Sequence, residues 1–214
     1  MKSILIIGMG KLGKFLAKKF SDLGDHVMVM DTDEDKINEI TPLVTASRIG
    51  DATKPSVLES LGVDNFDLCV VAIRDDFQNS LQATSLLKEG GARRVLACAS
   101  TEVQEKFLLR NGADGVLFPE KQVAERTAVM YSADNMFDYI ELTPDYAIYE
   151  IATPKGWAGK TIREKEVRSK YNINILAVKR DGRLTPLPSA EHVFDAGERL
   201  MVMCRKSDIS KFVD

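Results

Sequence analysis

Three glycines at Gly8, Gly10 and Gly13 stand in the stretch "IIGMGKLGKFLAKKF" (residues 6 to 20), where an apolar run gives way to a helical pattern. The spacing is G-x-G-x-x-G. Placed between a strand and a helix, it suits one chemistry, the capture of a phosphate by backbone N–H groups at a helix N-terminus. Gly8 permits a tight turn. Gly10 leaves room for phosphates to approach the backbone, and Gly13 lets the helix pack on the strand. Met9, Lys11 and Leu12 fill the positions between. Lys11 has two readings, a point charge on a phosphate or a solvated surface group. Asp31 ends the next apolar run and is followed by Thr32. An acid at that spacing accepts hydrogen bonds from a ribose diol and repels a 2′-phosphate, which disfavours NADP. Glycines that serve packing alone are the competing reading.

The other reactive residue types form no catalytic set. None of the five tyrosines is followed by lysine four positions on, and neither G-x-S-x-G nor H-E-x-x-H occurs. His26 and His192 have no ligand-like neighbours, so surface or strand-edge roles are expected. Cys69, Cys98 and Cys204 lie in apolar runs without a C-x-x-C pair and read as small buried hydrophobes. The segment "PKGWAGKT" (154 to 161) ends like a P-loop, but Pro154 replaces its first glycine. It reads instead as a turn and helix start, with Thr161 as the N-cap and Trp157 as a core or edge anchor. A phosphate site without an acid or base beside it points to a sensor, in which occupancy shifts a conformational equilibrium.

The elements that would hold such a site follow from periodicity. Strands "SILIIG", "HVMVMD", "VTASRIGD", "FDLCVVAI", "RRVLACAS" and "GVLFP" alternate with helices at 11–24, 33–41, the segment "KPSVLESLG", 76–90 and 102–111. Continuous apolar strands between amphipathic helices predict a parallel, doubly wound α/β sheet of Rossmann type. Ligands in such sheets lie beyond the strand carboxyl ends. Asp51, Ala52 and Thr53 follow the third strand, near an adenine edge, and Ala72, Ile73 and Arg74 follow the fourth. Asp75 and Asp76 read as helix N-terminal charges.

From Pro119 to Met136 the pattern is one helix. Short alternating strands then take over ("DYIELTP", "YAIYEIATP", "INILAVKRDGRLTPLP", "ERLMVMC"), with a hairpin turn at "RDGR" and helices near 161–168 and 206–213. The expected division is a nucleotide-binding domain over 1–118, a linking helix over 119–136 and a small α+β domain over 137–214.

Bulk properties narrow the classes. The chain has 214 residues, 44% of them hydrophobic, and a net charge of −3. No general basic field exists to hold nucleic acid. No run reaches the ~20 apolar residues of a membrane span. The start "MKSILIIGMG" has too short an apolar core for a signal peptide, so a cytosolic location is expected.

Four segments, "IIGMGKLGKFLAKKFSDLGDHVMVMDTDEDKI", "GDATKPSVLESLG", "DLCVVAIRDDFQNSLQATSLLKEGGARRVLA" and "LLRNGADGVLFPEK", resemble an RCK (KTN) nucleotide-binding domain. "GKTIREKEVRSKYNINILAVKRDG" with "FDAGERLMVM" resembles the RCK C-terminal domain. The likeness spans essentially the whole chain and is nearest to regulatory subunits of Trk/Ktr potassium uptake systems of the TrkA/KtrA type. It implies a cytoplasmic gating subunit, not an enzyme, docked on a membrane potassium-translocating subunit of TrkH/KtrB type. It also implies a homodimer through the linking helix and an octameric ring.

The ligands it implies are ATP/ADP, favoured here by Lys11 where KtrA-type members carry arginine, or NAD(H). Glu120 of "FPEK" matches an acid that helps hold a divalent or sodium cation near the phosphates; read alone, it is a helix-start charge. Cys98 departs from the family, since some members have a phosphate-side lysine there. Ile162, Arg168, Asn174, Ile175 and Pro188 match positions that bind cyclic di-AMP in some relatives, and they read equally as dimer interface and core. An NAD-dependent oxidoreductase and a free-standing cyclic-dinucleotide receptor are the alternatives.

Overall fold

The computed structural model describes residues 1–212. Two compact units divide the chain after Glu120. In the first, six strands form one parallel sheet in the order β3-β2-β1-β4-β5-β6. They are β1 (Ser3–Ile7), β2 (His26–Asp31), β3 (Ala46–Ile49), β4 (Leu68–Val71), β5 (Val95–Cys98) and β6 (Gly115–Leu117). The crossovers carry α1 (Lys11–Asp22), α2 (Glu34–Ile40), α3 (Pro55–Glu59), α4 (Phe77–Glu89) and α5 (Glu102–Arg110). Strand side chains alternate between two cores. Leu5 and Ile7 of β1 join Cys69, Val71, Val95 and Ala97 on one face. Ile4 and Ile6 join Val27, Val29 and Val70 on the other, under α1 and α2. Burial on both faces is why these strands read as unbroken apolar runs. The strand order reverses direction between β1 and β4, which opens a crevice at the carboxyl ends beside β1.

The second unit is a five-stranded sheet, order β10-β9-β11-β8-β7, paired antiparallel throughout. Its strands are β7 (Met136–Glu141), β8 (Tyr146–Ala152), β9 (Asn174–Arg180), β10 (Arg183–Pro186) and β11 (Arg199–Arg205). Asp181 and Gly182 both take positive φ, 49° and 78°, as a two-residue hairpin at "RDGR" requires. One core gathers Tyr149, Ile151, Leu200, Val202 and Trp157. Trp157 is 4% exposed and packs against the rings of Tyr171, Phe194 and Phe212.

Three expected helices change. α6 (Pro119–Tyr131) stops five residues short of Met136. The Ser132 hydroxyl donates to the Val129 carbonyl at 2.8 Å, and the chain turns so that Met136 opens β7. The helix expected near 161–168 is two short ones, α7 (Ile162–Lys165) and α8 (Val167–Tyr171), separated by Glu166 at φ 48°. α7 starts on a capping box: the Thr161 hydroxyl accepts from Glu164 N–H, and the Glu164 carboxylate accepts from Thr161 N–H. Of the helix expected over 206–213, a single 3₁₀ turn, Ile209–Lys211, is present; Val213 lies outside the described residues.

Candidate nucleotide-binding crevice

The carboxyl ends of β1, β2, β3 and β4 surround a cavity of about 670 Å³. Each glycine at its floor is required by a different neighbour. Gly8 takes φ 97°, and a Cβ there would stand 3.0 Å from Ala72 C and Ile73 N. A Cβ on Gly13 would come within 1.9 Å of the Gly8 carbonyl oxygen, so α1 can seat on the turn only with glycine there. Gly10 is different. Its φ of −68° and ψ of −175° are open to any residue, and beyond the two adjoining residues no protein atom lies within 4 Å of its hypothetical Cβ. Nothing inside the protein asks for glycine at this position; the space belongs to the cavity. Gly10 also begins α1 without a side-chain cap, so the positive end of that helix faces the crevice uncapped.

Asp31 closes the turn from β2. Its Oδ2 accepts from Met9 N–H at 2.5 Å and its Oδ1 from Asp33 N–H at 2.9 Å. Each oxygen keeps a second lone pair for a diol. Asp33 in turn caps α2, accepting from Lys36 N–H at 3.2 Å. Beyond β3, the Asp51 Oδ1 accepts from the Thr53 hydroxyl at 2.6 Å and the Thr53 N–H at 2.9 Å. Those two bonds hold its carboxyl below the usual aspartate range. The Thr53 carbonyl accepts from Gln82 Nε2 at 3.1 Å, which ties this loop to α4.

On the β4 side, the Arg74 guanidinium pairs with Glu120 in the first turn of α6. That bond draws the Glu120 carboxyl below its ordinary value. Arg74 Nε is buried with no hydrogen-bond partner. Cys98 lies beneath them, 2% exposed, and burial pushes its thiol up to about 11.

Of the residues expected from sequence, Gly8, Gly10, Lys11, Leu12, Asp31, Thr32, Asp51, Ala52, Thr53, Ala72, Ile73 and Arg74 line the cavity. Met9 does not: its side chain is fully buried under the turn, and only its N–H serves the site. Gly13 sits behind the turn against Gly8. Glu120 reaches the crevice through Arg74. Asp75 and Asp76, read as helix charges, do stand on the rim, and Asp76 caps α4 by accepting from Asn79 N–H at 2.9 Å.

Ile7, Lys36, Gly50, Asn79 and Ser100 complete the lining and were not expected. Gly50 follows β3 and Ser100 lies just beyond β5, so extending the carboxyl-end rule to every strand would have found both. In the second unit the five remaining candidates are spread over several elements. Ile162 opens α7 and Arg168 is exposed on α8; Asn174 and Ile175 open β9, and Pro188 follows β10. Among the described residues no group of three or more His, Cys, Asp or Glu is placed to hold a metal ion, and no helix is long and apolar enough to cross a membrane.

A family model described as the TrkA-N domain matches residues 4–119, and one described as the TrkA-C domain matches residues 146–214. The Ktr system potassium uptake protein C of Bacillus subtilis (strain 168) is 38% identical over 211 residues, 99% of this chain and 96% of that protein. Ktr system potassium uptake protein A of the same organism is 33% identical over 99% of this chain and 95% of its own length. A solved structure of the GsuK channel bound to NAD superposes with a TM-score of 0.68 over 97% of this chain and 38% of that one. At 20% identity, that likeness is one of fold.

Proposed function

The chain belongs to the family built from a TrkA-N domain followed by a TrkA-C domain, and from that premise we propose that it is the regulatory subunit of a potassium uptake system and reads adenine nucleotides in the crevice of its first unit. The observation that carries the reading is Gly10, a glycine that no part of the protein requires and that borders the cavity at an uncapped helix start. A phosphate at that point fits, and a side chain there would occupy its place. Asp31 holds the ribose diol, the Asp51–Thr53 loop faces the base, and Lys11 supplies a mobile positive charge.

The ligand classes are ATP or ADP, with NAD(H) as the other member; NAD is bound in a solved structure of the GsuK channel, which shares this fold. A cation held by Glu120 would have to share that carboxylate with the Arg74 guanidinium. Catalysis is not part of the proposal. The lining holds no histidine, tyrosine or cysteine, and the carboxylates of Asp31, Asp51 and Asp76 are engaged by backbone N–H groups.

The partner is a membrane potassium-translocating subunit, as the names of the relatives imply, with this chain on the cytoplasmic side. Assembly of a homodimer through the 119–136 region, in the ring that the family likeness implies, draws its support from α6. None of its residues is fully buried, Val129 and Met130 pack on the second core from its last turn, and Val123 and Tyr131 are exposed. A further ligand, cyclic di-AMP, is assigned by the same family likeness to the region of Arg168, and calorimetry on Arg168→Ala tests it.

The deciding experiment is mass spectrometry of the ligand retained on purification, followed by calorimetry with ATP, ADP, NAD and NADH on the wild type and on Gly10→Ala. Binding of one or more by the wild type, lost in Gly10→Ala, is the expected outcome. Flat titrations with all four would remove the reading.

A further inference from the structure

We propose that Arg74 reads the terminal phosphate of the bound nucleotide and transmits that reading to Glu120 at the start of α6. The inference rests on the nucleotide reading of the crevice and assigns its regulation to one side chain.

The strand order gives the ligand a direction. Asp31 and Asp51 lie on the β2 and β3 side of β1, and the glycine turn follows β1 itself. A nucleotide whose ribose meets Asp31 and whose first phosphate meets Gly10 therefore runs its phosphate tail toward β4. There the backbone of Ala72 and Ile73 packs directly on Gly8, and Arg74 is the next residue, lining the cavity. Its side chain holds Glu120, three residues past the end of β6 and in the first turn of α6.

A guanidinium offers five N–H donors, and the Glu120 bond uses one end of the fork. Nε is buried and unpartnered, an arrangement that costs free energy unless another acceptor joins it. The acceptor that the chemistry calls for is an anion, and Arg74 lines the cavity that a phosphate would enter. A terminal phosphate competes with the Glu120 carboxylate for one cation. Nucleotides with a long phosphate tail therefore change the hold on the helix that leads the chain into its second unit, whereas a monophosphate, ending at the glycine turn, does not.

The experiment is a ladder of adenosine, AMP, ADP and ATP titrated by calorimetry in EDTA, so that no divalent cation supplies charge. Wild type, Arg74→Ala, Arg74→Lys, Glu120→Gln and the Arg74→Ala/Glu120→Gln double variant are compared. Removing a charge-assisted bond should weaken the longest-tailed nucleotide by about ten- to hundredfold. Adenosine and AMP should change less than about threefold, and Arg74→Lys should recover part of the loss. Glu120→Gln frees the guanidinium and should tighten ATP severalfold with Arg74 present but much less with alanine at 74.

An equal loss across the whole ladder would show a structural role and overturn the proposal. So would an unchanged phosphate dependence in Arg74→Ala, while leaving the crevice reading intact. A wild type that binds no rung of the ladder would remove both. Thermal unfolding of each ligand-free variant separates a fold defect from a lost contact.

Discussion

At the scale of single residues the second and third glycines of the turn should part company. Gly13→Ala puts a methyl carbon 1.9 Å from a backbone oxygen that cannot move without shifting β1 or α1. It should cost several kcal/mol, on the order of 3 or more, or prevent folding. Gly10→Ala meets nothing and should leave the urea midpoint within about 1 kcal/mol of wild type while abolishing nucleotide binding. A Gly10→Ala protein that binds ATP normally would contradict the role given to that space.

The cysteines make a second residue-level case. Burial pushes Cys69 up to about 12 and Cys98 and Cys204 to about 11, so all three are neutral thiols at pH 8. Native protein should resist a maleimide that labels all three after denaturation, with mass spectrometry as the readout. The spacing of the glycines and the position of Asp31 were legible because both lie within one β-α-β unit. The Arg74–Glu120 pair was not. Its members are 46 residues apart and meet only because β4, β5 and β6 are neighbours in the sheet.

At the scale of elements, the first unit was readable and the second less so, for a physical reason. Three helices of the first unit end where glycine takes over: Gly24, Gly62 and Gly91 all adopt positive φ just past α1, α3 and α4. The break at Glu166 carries no such mark, because an ordinary residue holds the left-handed conformation. The end of α6 is likewise unmarked by glycine or proline and depends on Ser132 turning back to Val129. The N-cap at Thr161 was read from its hydroxyl, but the reciprocal bond from Glu164 three residues on was not. Thr161→Ala should destabilise the second unit by about 1 kcal/mol. Trp157 fluorescence during urea unfolding reports it directly, since the chain's single tryptophan lies in that core. An unchanged midpoint would mean that the cap is redundant with the packing around Trp157.

At the scale of the whole molecule, carboxylates fasten distant segments of the first unit. Asp67 accepts from the Ser3 N–H at 2.9 Å, 64 residues away, and that bond holds its carboxyl low. Burial pushes Asp114 up, but the Val95 N–H and the Lys88 ammonium more than offset it and leave it low. A group whose folded pKa is depressed stabilises the fold above its unfolded pKa, and loses that contribution as pH falls through the folded one. The first unit should therefore be flat in stability from pH 7 to 5 and weaken below about pH 4, measured by far-UV circular dichroism at fixed urea.

Independence of the two units is the remaining question at this scale, and nucleotide answers it. The core clusters of the first unit draw on residues up to Leu117, and that of the second on residues from Val129 onward. A ligand at 100 times its Kd should stabilise the unit that binds it by about 2.7 kcal/mol. Tryptophan emission sees only the second core, whereas far-UV ellipticity sees both. Saturating ATP should therefore move a circular dichroism step to higher urea and leave the Trp157 transition where it was. If both shift together, the two units unfold as one cooperative body and are not independent.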